Sequence, residues 1–205
     1  MGYLNPHTRR LDYSKTLADM TAEIRANNVE KGWRPADGGP GTNTWGDYIA
    51  LLHSEISEAL EAYRDHRLAD ATFPVSPANA IQHPPKPEGV GSEFADILIR
   101  ILDMSDAFDV EPYDMDLQLA DVTPLTLSPG RDASFGDWIS WLHAQVAETI
   151  PDGHIMALLL RAVVTAAEHF SIDLTAEYKR KIAFNRTRTF QHGGRTLSPA
   201  DQVTA

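Results

Sequence analysis

Four acids fall into two pairs of the same spacing, Glu55 with Glu58 and Glu93 with Asp96. Three residues apart on a helix, the members of a pair project from one face about a turn apart. If the two helices pack as an antiparallel hairpin, all four carboxylates converge. Like charges brought together repel, and burial makes this worse. A hard divalent cation offsets the repulsion, and oxygen-only ligation selects magnesium, manganese or calcium over zinc or copper. No Glu-x-x-His pair accompanies the acids, which weakens the case for a di-iron carboxylate bundle. Each pair borders an apolar stripe, Ile56 and Ala59 in the first and Phe94, Ala95 and Ile97 in the second. Periodicity leaves two readings open, a cation site and a plain solvated face.

A second constellation lies near the end of the chain, where Tyr178, Lys181, Asn185 and Arg188 stand at offsets of 3, 7 and 10. Steps of four and three put Lys181, Asn185 and Arg188 on one helical face. An ammonium, an amide and a guanidinium presented together suit the oxygens of a polyphosphate. The plainer reading is a basic surface helix. His192-Gly193-Gly194 follows, either an anion-binding turn or the end of the ordered chain.

To position these residues the chain offers helices separated by Gly- and Pro-rich punctuation. A first helix is predicted over about Asp12 to Lys31, with Leu17, Met20 and Ile24 at helical spacing, ending at the breaker-rich stretch Gly32 to Thr44. A second opens at Thr44, a cap favoured by Asp47 three residues on, and runs to about Arg67. Five prolines between Phe73 and Gly91 rule out helix there and predict a long irregular loop. A third helix spans about Ser92 to Asp109. A short one from Glu111 to about Ala120 follows, then a linker from Pro124 to Arg131. Further helices are predicted over Ser134 to Ile150, Gly153 to Phe170 and Asp173 to about Thr189.

The chain also matches itself. Trp45-Gly-Asp-Tyr-Ile-Ala-Leu-Leu-His53 aligns with Phe135-Gly-Asp-Trp-Ile-Ser-Trp-Leu-His143 at an offset of 90. Ile97 to Arg100 then aligns with Leu158 to Arg161, and Glu111 with Asp173. This predicts a duplicated, pseudo-symmetric helical bundle, copy one over about 45–121 and copy two over about 135–190. In the second copy Gln145, Glu148, His154 and Ala157 replace the four acids, a set unfit for a divalent cation. The first copy's equivalent of the last helix is short and acidic, with Asp114, Asp116 and Thr123. One complete site per chain is therefore expected, between the halves. His53 recurs as His143, which favours packing or capping for it over chemistry.

With Glu55-x-x-Glu58 and Glu93-x-x-Asp96 in view, the chain resembles the all-α nucleoside triphosphate pyrophosphatases, the superfamily of MazG and the dimeric dUTPases. The spacing of Tyr178, Lys181, Asn185 and Arg188 is similar to the phosphate-contacting C-terminal motif of the dimeric dUTPases and phage MazG-like proteins. The likeness covers roughly Lys31 to Arg195. It implies one all-α domain, set at 1–196, and the residues 197–205 that follow are expected to be a disordered tail. It further implies metal ligation by Glu55, Glu58, Glu93 and Asp96, catalysis by Glu55 and Glu58, and phosphate binding by Tyr178, Lys181, Asn185 and Arg188. Mg2+, with Mn2+ as a substitute, would be the cofactor and a nucleoside triphosphate the substrate, cleaved to monophosphate and pyrophosphate; a homodimer is an expected assembly. Related enzymes often carry a glutamate just before the first acid, where this chain has Ser54. A weak or inactive nucleotide-binding or protein-interaction module is the alternative. Trp33, Trp45 and Tyr63 are open between stacking on a base and ordinary core roles.

Composition sets the outer bounds. In 205 residues the apolar share is 42% and the charged share 23%, the profile of a globular chain and not of a disordered one. The net charge of −11 argues against nucleic acid as a partner. Between Trp45 and Asp121 there are 16 acidic and 4 basic residues, a net of −12; between Asp173 and Arg195 there are 6 basic and 2 acidic, a net of +4. The first segment suits cations and the second phosphate, or the two are solvated faces of opposite sign. The absence of cysteine, of an apolar signal core and of any apolar run near the roughly 20 residues of a membrane span makes the cytoplasm the expected address.

Overall fold

A computed structural model describes residues 15–65, 72–73, 86–111 and 118–191. Among them are six α-helices: α1 Leu17–Glu30, α2 Trp45–Arg64, α3 Val90–Ala107, α4 Phe135–Ala147, α5 Gly153–His169 and α6 Leu174–Asn185. Two-residue strands β1 Thr72–Phe73 and β2 Lys86–Pro87 pair antiparallel, Thr72 opposite Pro87. The predicted loop from Phe73 to Gly91 thus contributes a strand at each flank, and α3 starts at Val90, before Ser92. The expected short helix from Glu111 lies mostly outside the described residues; Leu119–Asp121 forms a single 3-10 turn. No single described helix is long and apolar enough to cross a membrane.

Helix starts follow local chemistry. Thr16, Thr44 and Ser134 each accept from the backbone N–H three residues on, while Asp19, Asp47 and Asp137 accept the cap residue's own N–H in return. Each box satisfies two of the amide donors that a helix start leaves unpaired. For α1 this places the start at Leu17, inside the Asp12 expected from apolar spacing.

Helix α3 is the hub, packed against α1, α2, α5 and α6. Phe94, Leu98, Ile101 and Leu102 are wholly buried, as are Leu52 and Ile56 of α2 and Leu160 and Val163 of α5. Trp45 and Tyr48 at the start of α2 meet Phe108 just past the end of α3, so these helices run antiparallel. Tyr63 near the end of α2 stacks on Phe135 at the start of α4, ring centroids 4.2 Å apart, while Trp45 Nε1 donates to the Thr149 carbonyl beyond α4. These aromatics therefore belong to the packing. Midway between those contacts His53 meets His143 at 2.8 Å between Nδ1 atoms. The ring centroids are 5.0 Å apart and the planes differ by 20°. Two imidazoles joined edge to edge by an in-plane N–H···N bond give that separation, so one ring donates and the other accepts.

Local geometry repeats across this contact. Tyr48 meets Phe108 edge-on at 5.4 Å, and Trp138 meets Phe170 edge-on at 5.8 Å. Asp109 beyond α3 has φ 55°, and Ser171 beyond α5 has φ 56°. Val110 N–H then returns to the Ser105 carbonyl, and Ile172 N–H to that of Ala167, both at 2.8 Å. These turns align at an offset of 62, not the 61 read from Ile97 to Arg100, a register that sets Ile155 and Leu158 in line with Glu93 and Asp96 along the chain.

Candidate functional site

Because α2 and α3 run antiparallel, Glu55 midway along α2 lies beside the first turns of α3. Glu55, Glu93 and Asp96 each offer a ligand oxygen, and these oxygens all lie within 4.8 Å of one another. Glu55 and Glu93 are buried and Asp96 is half-buried. Glu58 is exposed, accepts from Ser54 Oγ at 3.3 Å and stands outside the trio, yet near enough for its charge to act on Glu55 and Glu93. Among the described residues no other trio of carboxylates or histidines gathers in this way. His154 and Glu148, which the sequence alignment set against Glu93 and Glu58, are exposed.

Helix α6 closes the site from the other side. Lys181, 2% exposed, sets its Nζ 2.5 Å from Asp96 Oδ2 and donates to Ser92 Oγ at 2.9 Å. The helix ends at Asn185, so Arg188 does not continue its face as the spacing predicted. A turn in which Arg188 N–H donates to the Asn185 carbonyl brings the guanidinium back within electrostatic reach of Asp96, Glu55 and Glu93. It also lies over the Phe184 ring, 5.2 Å from the centroid. The chain then reaches Gln191, whose backbone N–H donates to the Lys31 carbonyl at 2.8 Å and whose side-chain amide donates to that of Gly32 at 3.0 Å. Gly32, at φ 76°, carries the Phe190 ring where a Cβ would stand, and no other residue leaves that space.

Two expected phosphate contacts sit differently. Tyr178 is buried against α1, its hydroxyl donating to Glu23 Oε2 at 2.8 Å and lying 3.2 Å from the Met20 carbonyl. It anchors α6 instead of facing the acids, because Glu23 and the Met20 carbonyl of α1 hold its hydroxyl. Asn185 keeps its Oδ1 buried with no hydrogen-bond partner. The motif His192-Gly193-Gly194 lies outside the described residues.

Arg100 is the site residue that sequence reasoning missed. Its Nε lies 3.0 Å from Glu55 Oε1. The signal was available, because Arg100 follows Asp96 by four and Glu93 by seven and so shares their face.

The electrostatics follow from crowding. Burial, followed by the charges of Asp96 and Glu58, raises the Glu55 carboxyl above its ordinary value, with Arg100 opposing. Burial pushes Glu93 up to about 7; Asp96, Glu58 and Glu55 add to this and Lys181 opposes it. For Lys181 burial works downward, but Asp96 and Glu93 outweigh it and raise the ammonium. Burial lowers Arg188, with Arg100 adding to it and the acids opposing, yet a guanidinium stays charged. Three carboxylates thus face three cations, Arg100, Lys181 and Arg188.

The donor set fits a hard cation. Oxygens about 2.0–2.1 Å from magnesium stand roughly 3–4 Å from one another, so a trio within 4.8 Å needs only a small contraction. No protein-family profile, curated protein or solved structure matches this chain.

Proposed function

We propose that this chain is a magnesium-dependent nucleoside triphosphate pyrophosphohydrolase of the MazG and dimeric-dUTPase type. A carboxylate trio, two of its members buried and one half-buried, facing Lys181 and Arg188 from another element carries this reading. Glu55, Glu93 and Asp96 would hold the cation. The chemistry it supplies when bound is a lowered pKa for the attacking water and neutralisation of polyphosphate charge. Glu58, outside the trio and beside Ser54, is the carboxylate left to take the water's proton. Lys181 and Arg188 would balance the charge that grows on the departing pyrophosphate. The repeated caps, ring contacts and post-helix turns support an origin by duplication, in which one half kept the acids and the other the cationic arm.

A panel of deoxynucleoside triphosphates with magnesium, assayed for pyrophosphate release, tests this. At least one should be turned over, and Glu58→Ala, exposed and so tolerated by the fold, should lower the rate about 100- to 10,000-fold. A flat response from both proteins contradicts the proposal. It would favour nucleotide binding without turnover, a reading motivated by Ser54 and by the balance of three acids against three bases.

A further inference from the structure

Lys181 holds one of the oxygens that a cation at the acidic trio would need. Its ammonium occupies Asp96 Oδ2 at 2.5 Å and is steadied by Ser92 Oγ at 2.9 Å, and Ser92 in turn donates to the Pro87 carbonyl at 3.0 Å. Arg100 occupies Glu55 Oε1 at 3.0 Å in the same manner. A lone pair engaged by an N–H is not open to a metal along that direction, and two cations a few ångströms apart repel. We propose that Lys181 is an internal counter-ion that competes with the divalent cation for Asp96, so that cation and polyphosphate load together. The phosphate oxygens would draw Lys181 off the acid as the metal replaces it. This rests on the function proposed above and adds an order of events to it.

Competition and support predict opposite signs. If Lys181 must leave Asp96 before a cation enters, its removal tightens cation binding. If Lys181 instead orients Asp96 as a ligand, its removal weakens binding. Mn2+ binding without nucleotide, followed by the electron paramagnetic resonance of the free ion, separates them. Lys181→Met keeps the length of a side chain that is only 2% exposed, and Lys181→Arg keeps the charge. The methionine variant should bind Mn2+ about tenfold or more tightly than wild type, and the arginine variant about as wild type does. Ser92→Ala loosens the lysine without removing it and should give a smaller gain of about two- to fivefold; it serves if Lys181→Met does not fold by circular dichroism. Binding by wild type that is unchanged or weaker in the folded variants overturns the competition and leaves the metal site standing. No Mn2+ binding by any folded variant overturns the metal reading itself.

Discussion

Glu23 shows how one half-buried acid can hold an element in place. From α1 it pairs with Lys15 and Arg186 and accepts from the Tyr178 hydroxyl, so it ties α6 and the turn after it to the first helix. Burial alone would raise this carboxyl, but bonds from Lys15 and Tyr178 and the charges of Lys15 and Arg186 outweigh it and hold it below 4.5. A carboxyl lowered on folding stabilises the protein above its unfolded value, and the contribution is lost as pH falls through the folded one. Glu23→Gln should therefore lower the melting temperature at pH 7 by several degrees, about 1–3 kcal/mol. The gap to wild type should narrow as pH is taken from 4.5 downward. A gap that stays constant between pH 7 and pH 3 would show that charge at Glu23 is not the cause.

Element boundaries depend on local contacts of the same kind. A Cβ on Gly153, the first residue of α5, would lie 2.5 Å from the Glu111 carbonyl oxygen. Alanine is the better helix former by about 1 kcal/mol, yet here the backbone beyond α3 must move to admit it. Gly153→Ala should cost about 1–3 kcal/mol by urea unfolding, and an unchanged or higher midpoint would refute that account. Helix starts were readable in the residues, because Thr44 with Asp47 is a cap whose chemistry is complete within four positions. Strand and helix ends were less so. The pairing of Thr72 with Pro87 depends on partners fifteen positions apart, and α6 closes at Asn185 through local bonds that no breaker residue announces. The site divides along the same line. Spacing brought Glu55, Glu93 and Asp96 together, since i, i+3 geometry and an antiparallel hairpin suffice. The outward turn of Glu58, the burial of Tyr178 against Glu23 and the bond from Arg100 to Glu55 are set by packing between helices, which periodicity does not specify.

Over the whole molecule, the same antiparallel contact is made in both directions. Helices α2 and α4 cross at His53 and His143, with matching ring contacts on either side and matching left-handed turns after α3 and α5. Charge differs between the two hairpins. Acids gather on the hairpin of α2 and α3, and the cationic arm arrives from α6 and the turn after it. On the function proposed above, the acid-rich hairpin and the basic arm would form one site per chain for a cation with a polyphosphate. Phosphorus NMR of dUTP, and of the other deoxynucleoside triphosphates in turn, incubated with the protein and Mg2+ tests that claim most directly. The account predicts, for at least one of them, loss of the triphosphate resonances with monophosphate and pyrophosphate rising together in equal amounts, abolished by chelator. Intact triphosphates throughout, or diphosphate with orthophosphate as the products, would contradict it.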